Sequence, residues 1–166
     1  MSRLIDFYRG TGRDGSGRLL ADVWAFSEDE LEFHHDFIQW LFPLTTISQF
    51  NPSAPTLKEA DIAAFRDDPA LRDNLRRSFD VFLAFLGFQR EGDRVVPADD
   101  FDAKSDLWRY PNHNWLRITR VLTCLKTLGL EAESLAFFEA LKGLRDSGRW
   151  GIDGETFGYW ESAISA

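Results

Sequence analysis

The residues able to do chemistry are few in kind. The chain holds three histidines, His34, His35 and His113, and a single thiol, Cys124. Read as helix, His34 and His35 diverge by about 100° and cannot easily share a metal. The i+4 place that a helical ligand pair needs after His35 is filled by Gln39. A zinc site would have to draw on His113 and distant carboxylates, so no metal site is expected. The His35…Gln39 spacing instead predicts a buried histidine that hydrogen-bonds a backbone carbonyl or Gln39, the latter a pair of polar groups on one buried face that satisfy each other. A second set, His113, Arg117, Arg120 and Cys124, falls within about 60° on a helix. It makes a positive stripe on an acidic chain. Arginine forks suit carboxylates and other anions. The stripe is therefore an anion site or a partner for Asp99, Asp100 or Asp102, with internal pairing the favoured reading. Gly10-Thr11-Gly12-Arg13-Asp14-Gly15 fits G-x-G-x-x-G, but Ser16-Gly17-Arg18 follows where a helix would have to open, so it reads as loop. No Ser or Cys sits in a nucleophile turn. Cys124 falls mid-helix and reads as a small buried hydrophobe. No catalytic residue is assigned, and no cofactor is implied.

Positioning these groups falls to a chain that reads as helical. Residues 10–18 carry Gly10, Gly12, Gly15 and Gly17 and form a loop. A short helix over Leu19–Phe26 turns Leu20, Val23 and Trp24 inward. Ser27…Glu30 is a capping box. It opens a helix expected to run to Phe42 and stop before Pro43. Leu31, His35, Ile38 and Phe42 share one face, widened by Phe33, Phe37, Trp40 and Leu41, which makes this helix central. Residues 50–55 are a turn-rich connector with two prolines. A second box, Thr56…Glu59, opens a helix to about Asp67 that buries Leu57, Ile62 and Phe65. Asp68-Pro69 then gives a cap followed by proline at the first helical position. Leu71, Leu75, Phe79, Phe82, Leu83 and Leu86 recur at helical spacing up to Gly87, a C′ glycine.

Residues 88–97 predict a small hairpin turning at Glu91-Gly92-Asp93. Residues 99–106 read as an acidic loop. Asn112 caps a helix to about Leu128, ended by Gly129, with Trp115, Ile118, Leu122 and Leu125 as its inner stripe. Another helix over Glu131 to about Ser147 buries Leu135, Phe138, Leu141 and Leu144. A last short helix carries Phe157, Trp160 and Ile164. No repeat and no domain linker is present. The expected fold is all-α: a single compact domain over residues 1–166 with about seven helices and at most a small hairpin.

Composition narrows the function classes. The 166 residues are 44% hydrophobic and 28% charged, with a formal net charge of −8. Such a field disfavours nucleic acid and anionic membranes. A lone cysteine allows no intramolecular disulfide. The start, Met1-Ser2-Arg3-Leu4-Ile5-Asp6, has no signal-peptide core. The longest nearly apolar run, Phe37–Leu44, is too short for a transmembrane segment. A soluble, cytoplasmic protein is expected. Aromatics reach 14%, with 15 Phe, 6 Trp and 3 Tyr. Trp24, Trp40 and Trp115 sit at core spacing. Tyr8, Trp108, Trp150 and Trp160 are not explained by periodicity, so a binding groove is sought beside them.

Tyr8-Arg9, the run His35-Asp36-Phe37-Ile38-Gln39-Trp40-Leu41-Phe42-Pro43-Leu44, and the run from Asn114 through Arg117 and Arg120 to Leu122 resemble the conserved domain of the opioid growth factor receptor family. The likeness covers roughly residues 5–165 in order. In animals it implies a nuclear-envelope-associated receptor that binds an enkephalin pentapeptide and restrains proliferation. No long tail of peptide repeats follows the domain in these 166 residues, so growth control is not carried over as an expectation. The family implies no set of ligand contacts. The expected function is a non-enzymatic module binding a peptide or protein ligand in an aromatic-lined groove. Its candidate ligand-binding residues are Tyr8, Arg9, His35, Gln39, Trp40, His113, Arg117 and Arg120. Two alternatives stand beside it. One is an enzyme working on a small anion through His35, Gln39, Arg117 and Arg120; the other is an assembly module.

Overall fold

A computed structural model describes residues 2–165. Among them the chain forms nine α-helices, one 3-10 helix and one two-stranded hairpin. The chain divides into two compact units, residues 1–81 and 82–166.

The first unit opens with α1 (Arg3–Tyr8), whose Ile5 N–H is capped by the Ser2 hydroxyl. The glycine-rich loop that follows is organised by Asp14. Its buried carboxylate accepts the Ser16 and Arg18 N–H groups at 2.9 Å each and Arg18 Nε at 2.8 Å. The G-x-G-x-x-G match is thus a folded turn with its own internal anion. Next come α2 (Leu20–Trp24) and α3 (Glu28–Phe33), the latter opened by the reciprocal Ser27–Glu30 box.

The helix expected to reach Phe42 ends at Phe33 instead. His34 is extended (φ −79°, ψ 136°), and a separate short helix, α4 (Ile38–Leu41), follows. The cause is tertiary. Arg18 Nη2 donates to Asp36 at 2.9 Å, and the Ser16 hydroxyl bonds the same carboxylate. Phe26 meets His34 and Phe37 by their rings. These contacts hold residues 34–37 against the 14–18 loop and outweigh a weak local preference for helix. Phe33 consequently stands 79% exposed instead of widening the inner face.

Then α5 (Glu59–Asp67) begins two residues later than the Thr56 box implies. The Asp61 carboxylate accepts the Lys58 N–H at 2.9 Å, while Thr56 takes the Lys58 ammonium. Leu57 and Phe65 are buried and Ile62 is half-buried. The long helix α6 (Pro69–Leu86) starts and stops as expected. Asp68 caps Ala70, and Gly87 takes φ 93°. All six residues of its stripe are buried.

The second unit holds the hairpin, β1 (Phe88–Glu91) and β2 (Arg94–Pro97), antiparallel with Phe88 opposite Pro97. Gly92 takes φ 62° at the first corner, where a two-residue loop favours glycine. The acidic loop is in fact a 3-10 helix, Phe101–Trp108. Asn112 caps α7 (His113–Thr127), and Gly129 follows it at φ 94°. Then come α8 (Glu131–Asp146) and α9 (Gly154–Ser165). Helices α7, α8 and α9 pack on one another, and β2 lies on α8. The Ser134 hydroxyl donates to Leu122 O at 2.8 Å, and Trp160 Nε1 to Trp115 O at 3.1 Å. Phe138, Leu141 and Leu144 are buried, but Leu135 is 51% exposed beside the hairpin. Seven expected helices become nine because α1 carries too short a pattern to stand out and the 28–42 element splits.

Candidate functional site

Five of the candidate residues lie in the first unit, and three of those are used by its core. The Tyr8 hydroxyl donates to the Leu41 carbonyl and lies 2.9 Å from Ser78 Oγ, which also accepts Trp24 Nε1 at 2.9 Å. Trp40 is buried, edge-on to Phe7, with the Arg3 guanidinium 5.0 Å over its ring. Gln39 is buried too, and its Oε1 accepts Asn51 Nδ2 at 3.3 Å. The expected His35–Gln39 pair is thus corrected: Asn51 satisfies Gln39, and His35 is exposed. Arg9 is exposed and ion-paired with Asp68 at 2.9 Å. The Ala70 N–H, and then Arg9, hold the Asp68 carboxyl below its ordinary range.

The other three sit on α7 in the second unit. Arg117 is only 6% exposed, and its Nη1 donates to the buried Asn114 side chain at 3.3 Å. Burial pulls the Arg120 guanidinium below its usual value, and burial pushes the neighbouring Cys124 thiol far up. Cys124 therefore holds no thiolate at neutral pH, as its reading as a small hydrophobe requires. His113 is half-buried at the start of the helix. Asp100, offered as an internal partner of the stripe, is engaged by Lys104 at 3.1 Å. The stripe is a partly buried seam of α7.

A groove of about 530 Å³ opens in the same unit. The 3-10 helix lines it with Asp102 and Ser105, three residues apart and hence on one face. Arg109 and Tyr110 continue that wall, and Arg149, Trp150 and Gly151 form the other. The walls are tied by the Gly151 N–H, which donates to the Trp108 carbonyl at 2.9 Å. A Cβ on Gly151 would collide with the Arg109 carbonyl, so the approach demands glycine. Asn112 Nδ2 donates to Leu107 O and Tyr110 O at 2.9 and 2.8 Å and fixes the turn. Trp150 stands edge-on to Phe101 at 5.8 Å, and the Arg149 guanidinium lies 4.9 Å over its ring. Trp108, also outside the helical periodicity, is fully buried, and its indole N–H meets no acceptor among the described residues.

Residues 17–164 match the family model of the opioid growth factor receptor (OGFr) conserved region. The chain belongs to the opioid growth factor receptor family. It is similar to the opioid growth factor receptor of Rattus norvegicus, 38% identical over 70% of this chain and 21% of the relative. The Homo sapiens receptor is 33% identical over 76% of this chain and 20% of its own length. Opioid growth factor receptor-like protein 1 of Mus musculus is 30% identical over 66% and 24%. The chain thus spans about a fifth to a quarter of the curated relatives it matches. No solved structure matches it. Several positions that carry the family likeness, Tyr8, Trp40, Trp115 and Ile118, are core residues. Among the described residues no helix is long and apolar enough to cross a membrane, and no group of three His, Cys, Asp or Glu side chains could hold a metal. Of the groove residues, sequence reasoning singles out Trp150 alone as an unexplained aromatic. Its signal is an aromatic outside any helical period, beside arginine and glycine.

Proposed function

We propose that this member of the opioid growth factor receptor family is a receptor-like, non-enzymatic module that binds a peptide or protein segment. The observation that carries the reading is the groove over Trp150. It puts two arginines and two aromatic rings at an open surface within the conserved region of a family of named receptors. Aromatic walls hold apolar side chains, and polar groups fix orientation, as ligand clefts generally require. His35 is exposed while Gln39 is enclosed, so that pair offers no shared reacting face, which favours binding over catalysis. A net charge of −8 disfavours nucleic acid as the ligand.

An enkephalin-like pentapeptide titrated into the whole chain and followed by calorimetry tests the reading. Saturable one-to-one binding is expected. Heats that never saturate up to millimolar peptide would remove it.

A further inference from the structure

The groove beside Trp150 has polar groups that the fold does not consume. Arg149 forms no ion pair among the described residues; its guanidinium rests on the Trp150 ring with its N–H groups unspent. Arg109 holds Asp106 only through Nε at 3.5 Å, and both are exposed. Among the described residues the Ser105 and Tyr110 hydroxyls make no internal hydrogen bond, and Tyr110 is 75% exposed. Arg9, Arg18 and Arg76, by contrast, are ion-paired: Arg9 with Asp68, Arg18 with Asp14 and Asp36, and Arg76 with Asp73. Arg109 and Arg149 share the lining with the Asp102 carboxylate, and Asp106 lies 3.5 Å from Arg109 beside it, so Arg149 is the guanidinium there with no carboxylate partner among the described residues.

We infer that this groove binds a carboxylate carried next to an aromatic group, as at the C-terminus of a peptide ending in an aromatic residue. Arginine forks meet carboxylates with paired N–H donors. The exposed ring of Tyr110, beside Trp150 on the groove wall, receives an aromatic group. Asp102 sets the preference for a monoanion: a phosphate dianion brings a second charge toward a carboxylate that already lines the wall. The inference rests on the binding-module reading and names what that site recognises.

The test uses the whole chain and N-acetyl-phenylalanine, its amide, and phenyl phosphate as probes. The Trp150 indole and Gly151 amide resonances report occupancy. N-acetyl-phenylalanine is expected to move both saturably, and the amide to bind about tenfold more weakly, the factor one charged hydrogen-bonded contact provides. Arg149→Ala and Arg109→Ala, both at exposed positions, are each expected to weaken the acid by about fivefold to tenfold and leave the amide unchanged. Equal binding of acid and amide, tighter binding of phenyl phosphate, indifference to both substitutions, or no saturable shift would each overturn the assignment. A pentapeptide ending in phenylalanine that binds the chain without moving these two resonances would leave the module reading standing and remove this site. An acid probe that binds here when no peptide does would keep this site and remove the module reading.

Discussion

Ser78 shows how one small side chain serves several elements. Its hydroxyl meets the Tyr8 phenol from α1 and accepts the Trp24 indole from α2, while Tyr8 also caps the Leu41 carbonyl at the end of α4. Replacing it removes one buried and one part-buried hydrogen bond together. Ser78→Ala is therefore expected to cost about 1–3 kcal/mol, read from the urea midpoint. A loss below about 0.5 kcal/mol would show that the network carries no weight. Two glycines give opposite expectations for the same substitution. Gly151→Ala drives a methyl group into the Arg109 carbonyl, a backbone atom with no rotamer to yield. It is expected to destabilise by about 1–3 kcal/mol. Gly143→Ala lies within α8 with nothing close to the new methyl group. It is expected to stabilise by about 0.5–1 kcal/mol, because the unfolded chain loses freedom it no longer has to surrender. Paired thermal melts decide the matter, and a shared direction for the two variants would contradict it.

At the scale of elements, stability rests on how each helix begins. The Ser27 hydroxyl and the Glu30 carboxylate satisfy each other's N–H groups at the start of α3. The Ser27 N–H holds the Glu30 carboxyl below its ordinary value. A helix of only six residues has little else to nucleate it. Ser27→Ala is expected to cost about 1 kcal/mol and to raise amide exchange in residues 28–33 before it does so elsewhere. Uniform exchange across the unit would refute a local cap. Caps also explain what is legible in the sequence. For α6, the Asp68-Pro69 start, six apolar residues in helical register and Gly87 all agree, and the helix ends where they say. The same holds for α7 between Asn112 and Gly129. Residues 34–37 are not legible, because what breaks the helix there is Arg18 and Ser16 reaching Asp36 from about twenty positions upstream. No local pattern encodes that distance. The stripe on α7 is legible as a shared face, yet spacing cannot tell an outward face from a seam, and Arg117 turns inward. The groove is invisible for a related reason. Its walls come from a 3-10 turn and a loop about forty residues apart, and neither repeats at a helical period.

For the whole chain, acid is the condition in which the charge balance and the specific contacts pull apart. With a net charge of −8 and an isoelectric point near 4.9, mild acidification relieves general repulsion. Particular carboxylates oppose that gain. Burial tends to raise the Asp36 carboxyl, but hydrogen bonds from Ser16 and Arg18 outweigh it and hold the group below its ordinary value. Asp68 and Asp153 are likewise lowered, first by the backbone N–H groups of Ala70 and Thr156. Each group has a folded value below its unfolded one. Each therefore contributes stability that is complete above the ordinary carboxylate range and is lost as pH falls through the lowered value. Between about pH 7 and about pH 5 the specific contacts stay intact, and stability is expected to hold level or rise slightly as repulsion fades. Below about pH 4 the contacts protonate one after another, and stability falls. Asp36→Asn separates the two effects, since it removes one lowered carboxyl and changes the net charge by only one. The variant is expected to be less stable than the parent at about pH 7, with the gap narrowing toward zero by about pH 2 as the parent's own carboxylate protonates. Urea midpoints measured for both proteins across that range read the gap directly. A difference that stayed constant down to about pH 2 would mean that Asp36 acts through packing, and that its charge does not hold residues 34–37 against the glycine loop.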